Sequence, residues 1–181
     1  MKYFKYLILT TITIIIGVNL SCERDDICPE STPTTPRLVI DAYDVDNVDD
    51  KKNVPGLLII GVDNDNALPG YTITSTSSIK LPLRTDANFT QYILIKDATI
   101  NDNGTPNDTS DDTIEGNYDT ITINYLREEV YVSRACGYKT IFNNINLTVE
   151  TDTDNWIKSR IPLIEDNIID NEAETHFNIF H

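Results

Sequence analysis

The sequence predicts an all-β fold: a single β-sandwich, immunoglobulin-like or similar, over residues 37–181, behind a signal peptide and a short tether. Three observations carry this. In composition, 22 Thr and 25 Ile stand against 6 Ala; β-branched side chains suit strands, whereas Ala suits helices. In pattern, apolar residues fall into about eight to ten short stretches that alternate or run continuously between Pro, Gly, Asn and Asp, without a strong helical period. In size, 181 residues at 40% hydrophobic and 24% charged supply apolar surface for one core and leave little room for two.

Residues 1–21 read as a secretory signal, with Lys2 and Lys5 as the basic start and Leu7 to Leu20 as the apolar stretch. That stretch is shorter than the roughly 20 residues a helix needs to span a bilayer. It ends at Leu20-Ser21-Cys22, a small residue directly before a cysteine. This resembles the lipobox of bacterial lipoproteins, in which the cysteine becomes the first residue and carries acyl chains. Asn19 stands where that pattern has Leu, and Leu20 is displaced by one position. The resemblance assigns lipidation to Cys22; the bland alternative is an ordinary signal peptide followed by a fortuitous cysteine.

Residues 22–36 form the lipidated N-terminus and a polar, Pro- and Thr-rich tether suited to extended chain. Its acidic cluster, Glu23-Arg24-Asp25-Asp26, resembles the signal that exports lipoproteins of Bacteroidota to the outer face of the outer membrane. A solvated, self-repelling tether and an inner-membrane retention signal are the competing readings. Cleavage would remove Lys2 and Lys5 from 14 bases, leaving 12 against 29 acids and a net charge of -17. An anionic lipid surface repels such a body, so acyl chains, each buried CH₂ contributing about 0.8 kcal/mol, must hold it.

The predicted strands follow in order. Arg37 to Asp44 alternates, with Leu38, Ile40 and Ala42 on one face, and Asp44 to Asn53 is a polar loop. Leu57 to Val62 is a short apolar run that fits a strand buried on both faces. Tyr71 to Ile79 alternates Thr against Tyr71 and Ile73, and Leu81-Pro82-Leu83-Arg84 suits a sheet edge because Pro donates nothing to a ladder. Thr90 to Lys96 is a strand, followed by a long acidic loop to about Asn117. Tyr118 to Glu150 reads as a three-stranded meander, with a turn at Leu126-Arg127-Glu128-Glu129. Trp156 to Ile164 and His176 to Phe180 are the last strands, with a weak helical alternative over Leu163 to Ile169.

The cysteines are Cys22, Cys28 and Cys136. With Cys22 acylated, an even pair remains, and outside the cytoplasm a Cys28–Cys136 disulfide is expected. It would contribute roughly 4–5 kcal/mol by closing so long a loop. The competing reading is two buried thiols acting as small apolar groups. Neither has the neighbouring His or Lys of a recognisable catalytic motif.

Charge excludes nucleic acid as a partner, because clustered Lys and Arg are absent and the net charge is -15. No catalytic residue is predicted: Gly-x-Ser-x-Gly, His-Glu-x-x-His, Ser-x-x-Lys and P-loop motifs are all absent. No cofactor is implied, with one candidate exception. The Asn/Asp loop Asn101, Asp102, Asn103, Asp108, Asp111 and Asp112 resembles Asp-rich calcium repeats of secreted bacterial proteins and offers flexible oxygen ligands. It fails EF-hand spacing, because Thr99 stands five before Gly104. The alternative is that Asn and Asp here are turn formers. Zinc has only His176 and His181 to draw on, and His181, the last residue, is expected to fray.

Tyr118, Tyr125, Tyr131, Tyr138, Phe142 and Trp156 concentrate in the second half. They suit a core; on an exposed face they would stack sugars or anchor a partner. Arg127 and Arg134 flank this region and are expected to pair with local acids. Asp112-Thr113-Ile114 and Asp119-Thr120-Ile121 resemble the Asp-Thr-apolar sequon of O-glycosylation in Bacteroidota, with Thr113 and Thr120 as acceptors and Thr113 placed in a loop.

Four stretches carry a wider resemblance. They are Cys22-Glu23-Arg24-Asp25-Asp26-Ile27-Cys28-Pro29, Leu81 to Asp86, Tyr131-Val132-Ser133-Arg134-Ala135-Cys136-Gly137, and Glu174-Thr175-His176-Phe177. The chain resembles a family of uncharacterised flavobacterial lipoproteins. The resemblance implies a small lipid-anchored envelope domain, an outer-membrane lipoprotein working beside an outer-membrane protein partner, and brings no catalytic residue. The function expected is binding or structural support in an envelope complex, with a carbohydrate-binding or carbohydrate-active surface lipoprotein as the alternative.

Overall fold

The computed structural model describes residues 3, 27–32, 34–164 and 167–181. Cys22 and the acidic cluster after it lie outside the described residues. The chain divides into two compact units, Met1–Thr32 with Tyr131–Tyr138, and Pro33–Val130 with Lys139–His181. Among the described residues nine strands are formed: β1 Leu38–Tyr43, β2 Val54–Gly61, β3 Thr74–Thr76, β4 Ser78–Leu81, β5 Phe89–Asn101, β6 Thr113–Ser133, β7 Gly137–Val149, β8 Ser159–Pro162 and β9 Phe177–Phe180.

The larger unit is the expected β-sandwich. Its sheets run β4-β1-β9-β8 and β3-β2-β5-β6-β7. In the first sheet β1 pairs with β9 in parallel, Ile40 opposite Phe177 and Ala42 opposite Ile179. Pleat alternation sends Leu38, Ile40, Leu57, Ile59, Tyr92, Leu94, Ile121, Ile123, Phe142 and Leu147 into the shared core. A second small cluster, Leu58, Ile95 and Ala98 with Ile60 and Ile93 against it, covers the opposite face of β2 and β5. That cluster explains why Leu57 to Val62 reads as continuously apolar.

Several expected boundaries move. The alternating run Tyr71 to Ile79 is two strands in different sheets, β3 against β2 and β4 against β1. The chain changes sheet at Ser77, where Ser78 N donates to Thr76 Oγ1 at 3.1 Å and Ala42 N to the Ser77 carbonyl at 2.8 Å. Continuing alternation across a sheet switch is invisible to a periodicity argument. The long acidic loop is shorter than expected, because Ile100 pairs with Ile114 and Asn101 with Thr113. The expected turn at Leu126-Arg127-Glu128-Glu129 lies inside β6, so two long strands replace the three-stranded meander. Polar residues facing solvent on both sides of a strand look like a turn in sequence. Among the described residues no helix forms over 163–169; Ile169 instead bridges Phe142.

The central strand β5 is bulged. Lys96 pairs with Asn117 and Thr99 with Glu115, so Asp97 and Ala98 oppose the single residue Gly116. Asp97 adopts φ 54° and Gly116 φ 150°. A Cβ on Gly116 would meet Ile95 Cγ2 at 2.6 Å and the Lys96 carbonyl oxygen at 2.8 Å. On the other side, a Cβ on Gly56 would meet Asp97 Cα at 3.0 Å. Glycine on both neighbours is what lets the bulge fit.

Candidate functional site

The smaller unit holds the residues that the sequence marks most strongly. Cys28 and Cys136 are joined as a disulfide, with Cα atoms 4.9 Å apart at a sequence separation of 108. Cys136 lies in the turn between β6 and β7, where its N–H donates to Ser133 Oγ at 3.0 Å. Thr32 Oγ1 lies 3.5 Å from Cys136 Sγ. Beside the bond, Tyr131 and Tyr138 form an edge-to-face pair with ring centroids 5.5 Å apart. Their exposures are 58% and 65%, and Ile27, next to Cys28, is 80% exposed. These aromatics therefore depart from the core placement expected for them.

The remaining aromatics divide. Tyr125, Phe142 and Trp156 are buried, whereas Tyr118 is 43% exposed. Phe142 meets Tyr125 edge-on at 4.9 Å, and the Trp156 indole N–H donates to the Leu94 carbonyl at 3.2 Å. The Tyr92 hydroxyl donates to the Pro82 carbonyl, and burial pushes its phenol up to about 12. The Arg127 guanidinium is held by neutral groups rather than by an acid: its Nε donates to Asn88 Oδ1 at 2.9 Å and its Nη1 to the Thr85 carbonyl. That ties β6 to the loop before β5.

The acidic loop uses its oxygens on itself. Asp102 Oδ1 accepts Gly104 N at 3.0 Å, Asn101 Oδ1 accepts Asn103 N at 3.0 Å, and Asp108 Oδ1 accepts Ser110 N at 3.0 Å and Ser110 Oγ at 2.6 Å. Thr105 Oγ1 donates to Asp111, and Asn103 Nδ2 to the Asp111 carbonyl. The Ser110 hydroxyl bond holds Asp108 below the usual carboxylate range. These are local Asx-type turns. Among the described residues no group of three His, Cys, Asp or Glu side chains is placed to hold a metal ion. Asp112 contributes a buried Oδ1 without a protein partner among the described residues.

Of the two Thr acceptors, Thr113 is exposed at the first position of β6, opposite Asn101, rather than in a loop. Thr120 is half-buried in mid-strand opposite Ile93. Its neighbour Asp119 is fully buried and serves the fold. Asp119 Oδ1 accepts Asn155 Nδ2 and Trp156 N at 3.2 Å each, and Oδ2 accepts Ile157 N at 2.8 Å. Sequence reasoning missed this residue, because a lone Asp in an alternating strand looks like a solvent-facing position.

Both histidines are structural. Val39 N donates to His176 Nδ1 at 2.8 Å, and His176 N returns a bond to the Val39 carbonyl at 2.9 Å. Nδ1 is therefore an acceptor and the ring is neutral, in keeping with a pKa that burial lowers. His181 does not fray: it is 5% exposed, donates its N–H to the Tyr43 carbonyl at 3.1 Å and meets Trp156 edge-on at 5.7 Å. His176 also borders an open depression with Asp170, Glu174 and Asn171, whose other walls are Leu163, Ile164 and Ile168. Among the described residues no helix is long and apolar enough to cross a membrane.

A family model described as a family of unknown function, DUF6452, matches residues 56–181. The chain belongs to the DUF6452 family. The match begins within β2 and takes in the rest of the sandwich and Cys136, while Cys28 and β1 precede it. No curated protein and no solved structure matches the chain.

Proposed function

We propose that this DUF6452 protein is a lipid-anchored envelope protein that works by binding, as a non-catalytic accessory or structural partner of an outer-membrane complex. The Cys28–Cys136 disulfide carries the reading. Disulfides persist outside the reducing cytoplasm. This one uses two of the three cysteines and leaves Cys22, at the end of a signal-like stretch, for acylation. Binding rather than chemistry is supported by where the reactive groups go. Both histidines are buried in main-chain bonds, Asp119 holds backbone, and the acidic loop satisfies its own N–H groups.

Thr113, exposed at the start of β6, is the O-glycan acceptor in this reading. Two experiments test the proposal. Cys22→Ala should move the protein from the membrane fraction to the soluble fraction; unchanged membrane retention contradicts the anchor. Crosslinking in intact cells followed by affinity recovery should return a reproducible complex with an outer-membrane protein. Recovery of the monomer alone contradicts the accessory role.

A further inference from the structure

We propose that the β6–β7 turn is a second, interfacial membrane contact, in which Tyr131, Tyr138 and Ile27 enter the headgroup region of the bilayer that carries the Cys22 anchor. The inference rests on the lipid anchor proposed above and goes beyond it. Cys28 is six residues on from Cys22, with five residues between them, and even fully extended chain over those steps spans only roughly 20 Å. The disulfide then places Cys136 Cα 4.9 Å from Cys28 Cα. Covalent bonds alone therefore keep the turn close to the lipid surface whenever Cys22 is acylated.

The side chains at that place suit an interface. Tyr131 and Tyr138 present an edge-to-face pair, more than half exposed, and Ile27 is 80% exposed. Tyr rings with an apolar body and a polar hydroxyl settle where water meets acyl chains. So short a tether raises the effective concentration of the turn at the surface to the millimolar range or above, so weak intrinsic affinity suffices. The occupant is lipid because reach is set from the acylated end of the chain.

The test uses the full-length lipidated protein, reconstituted into phosphatidylcholine vesicles, with Tyr131→Trp as reporter. Trp156, 4% exposed in the sandwich core, gives a constant background that also reports folding. With a spin-labelled lipid quencher near the headgroups, emission from the introduced indole should shift to the blue and be mostly quenched. When Cys22→Ala protein carrying the same reporter is mixed with the same vesicles, that emission should not be quenched. A Cys28→Ser, Cys136→Ser double variant, or reduction in place, should abolish the quenching while the Trp156 emission stays native. Protein that fails to float with vesicles overturns the anchor and this inference together. Protein that floats with an unquenched, water-exposed reporter overturns the inference alone, as does quenching that survives loss of the disulfide.

Discussion

Asp119 Oδ2 accepts the backbone N–H of Ile157 at 2.8 Å, from a carboxylate that is fully buried. Its Oδ1 takes the Trp156 N–H and the Asn155 amide as well. Burial pushes this carboxyl up, against the three donors that pull it down. The clamp fixes the chain between β7 and β8, which brings Trp156 into the core and its indole onto Leu94. Asp119→Ala should cost about 2–4 kcal/mol, because two buried backbone N–H groups lose their acceptor. Asp119→Asn should cost less, since one oxygen remains. Urea unfolding of both variants checks the order; a change within about 0.5 kcal/mol for the Ala variant contradicts it.

Arg37 grips Glu172 with its backbone N–H at 3.0 Å, Nε at 2.9 Å and Nη2 at 2.7 Å, and Lys80 Nζ adds a contact at 3.3 Å. The Arg37 bonds hold Glu172 at about 2, down from 4.5. A depressed carboxylate stabilises above its unfolded value and loses that stabilisation as pH falls. Stability should therefore decline between about 4.5 and about 2. Because the pair is partly solvated, the contribution should be about 1–2 kcal/mol. Glu172→Gln should lose that amount at neutral pH and flatten the acid limb of a pH-dependent unfolding series.

Gly116→Ala should be costly. Its Cβ would press against Ile95 and the Lys96 carbonyl at the bulge, at a φ of 150°. A penalty of about 2–4 kcal/mol follows from strain and overpacking together. Thermal unfolding measures it, and a variant that melts with the wild type would show that the bulge relaxes.

The disulfide makes a chemical prediction. Native protein should expose no alkylatable thiol at Cys28 or Cys136 until reductant is added. Reduction should cost about 2–5 kcal/mol. Two modified thiols in unreduced protein would contradict the bond.

Much of this fold was legible because pleat alternation writes burial directly into sequence. Leu38, Ile40 and Ala42 face the core as their spacing implies, and Leu57 to Ile59 are buried on both faces. Thr74 to Ser78 was not legible, because the sheet switch at Ser77 keeps the period while changing the partner strand. Nor was the length of β6, where Arg127 to Glu129 are strand residues exposed to solvent. The candidate site was half legible. Cysteine counting gives the Cys28–Cys136 pair, whereas the exposure of Tyr131 and Tyr138 is not encoded in their spacing. The order at His181 and the clamp at Asp119 are not legible for one reason: most of their partners are backbone groups, which a sequence does not display.

The lipid anchor depends on Cys22. Intact-mass and peptide analysis of the protein recovered from the cell membrane fraction tests it most directly. The recovered chain should begin at Cys22, with acyl chains on that residue and Cys28 and Cys136 oxidised. A chain that retains Met1 or carries an unmodified Cys22 thiol would contradict it.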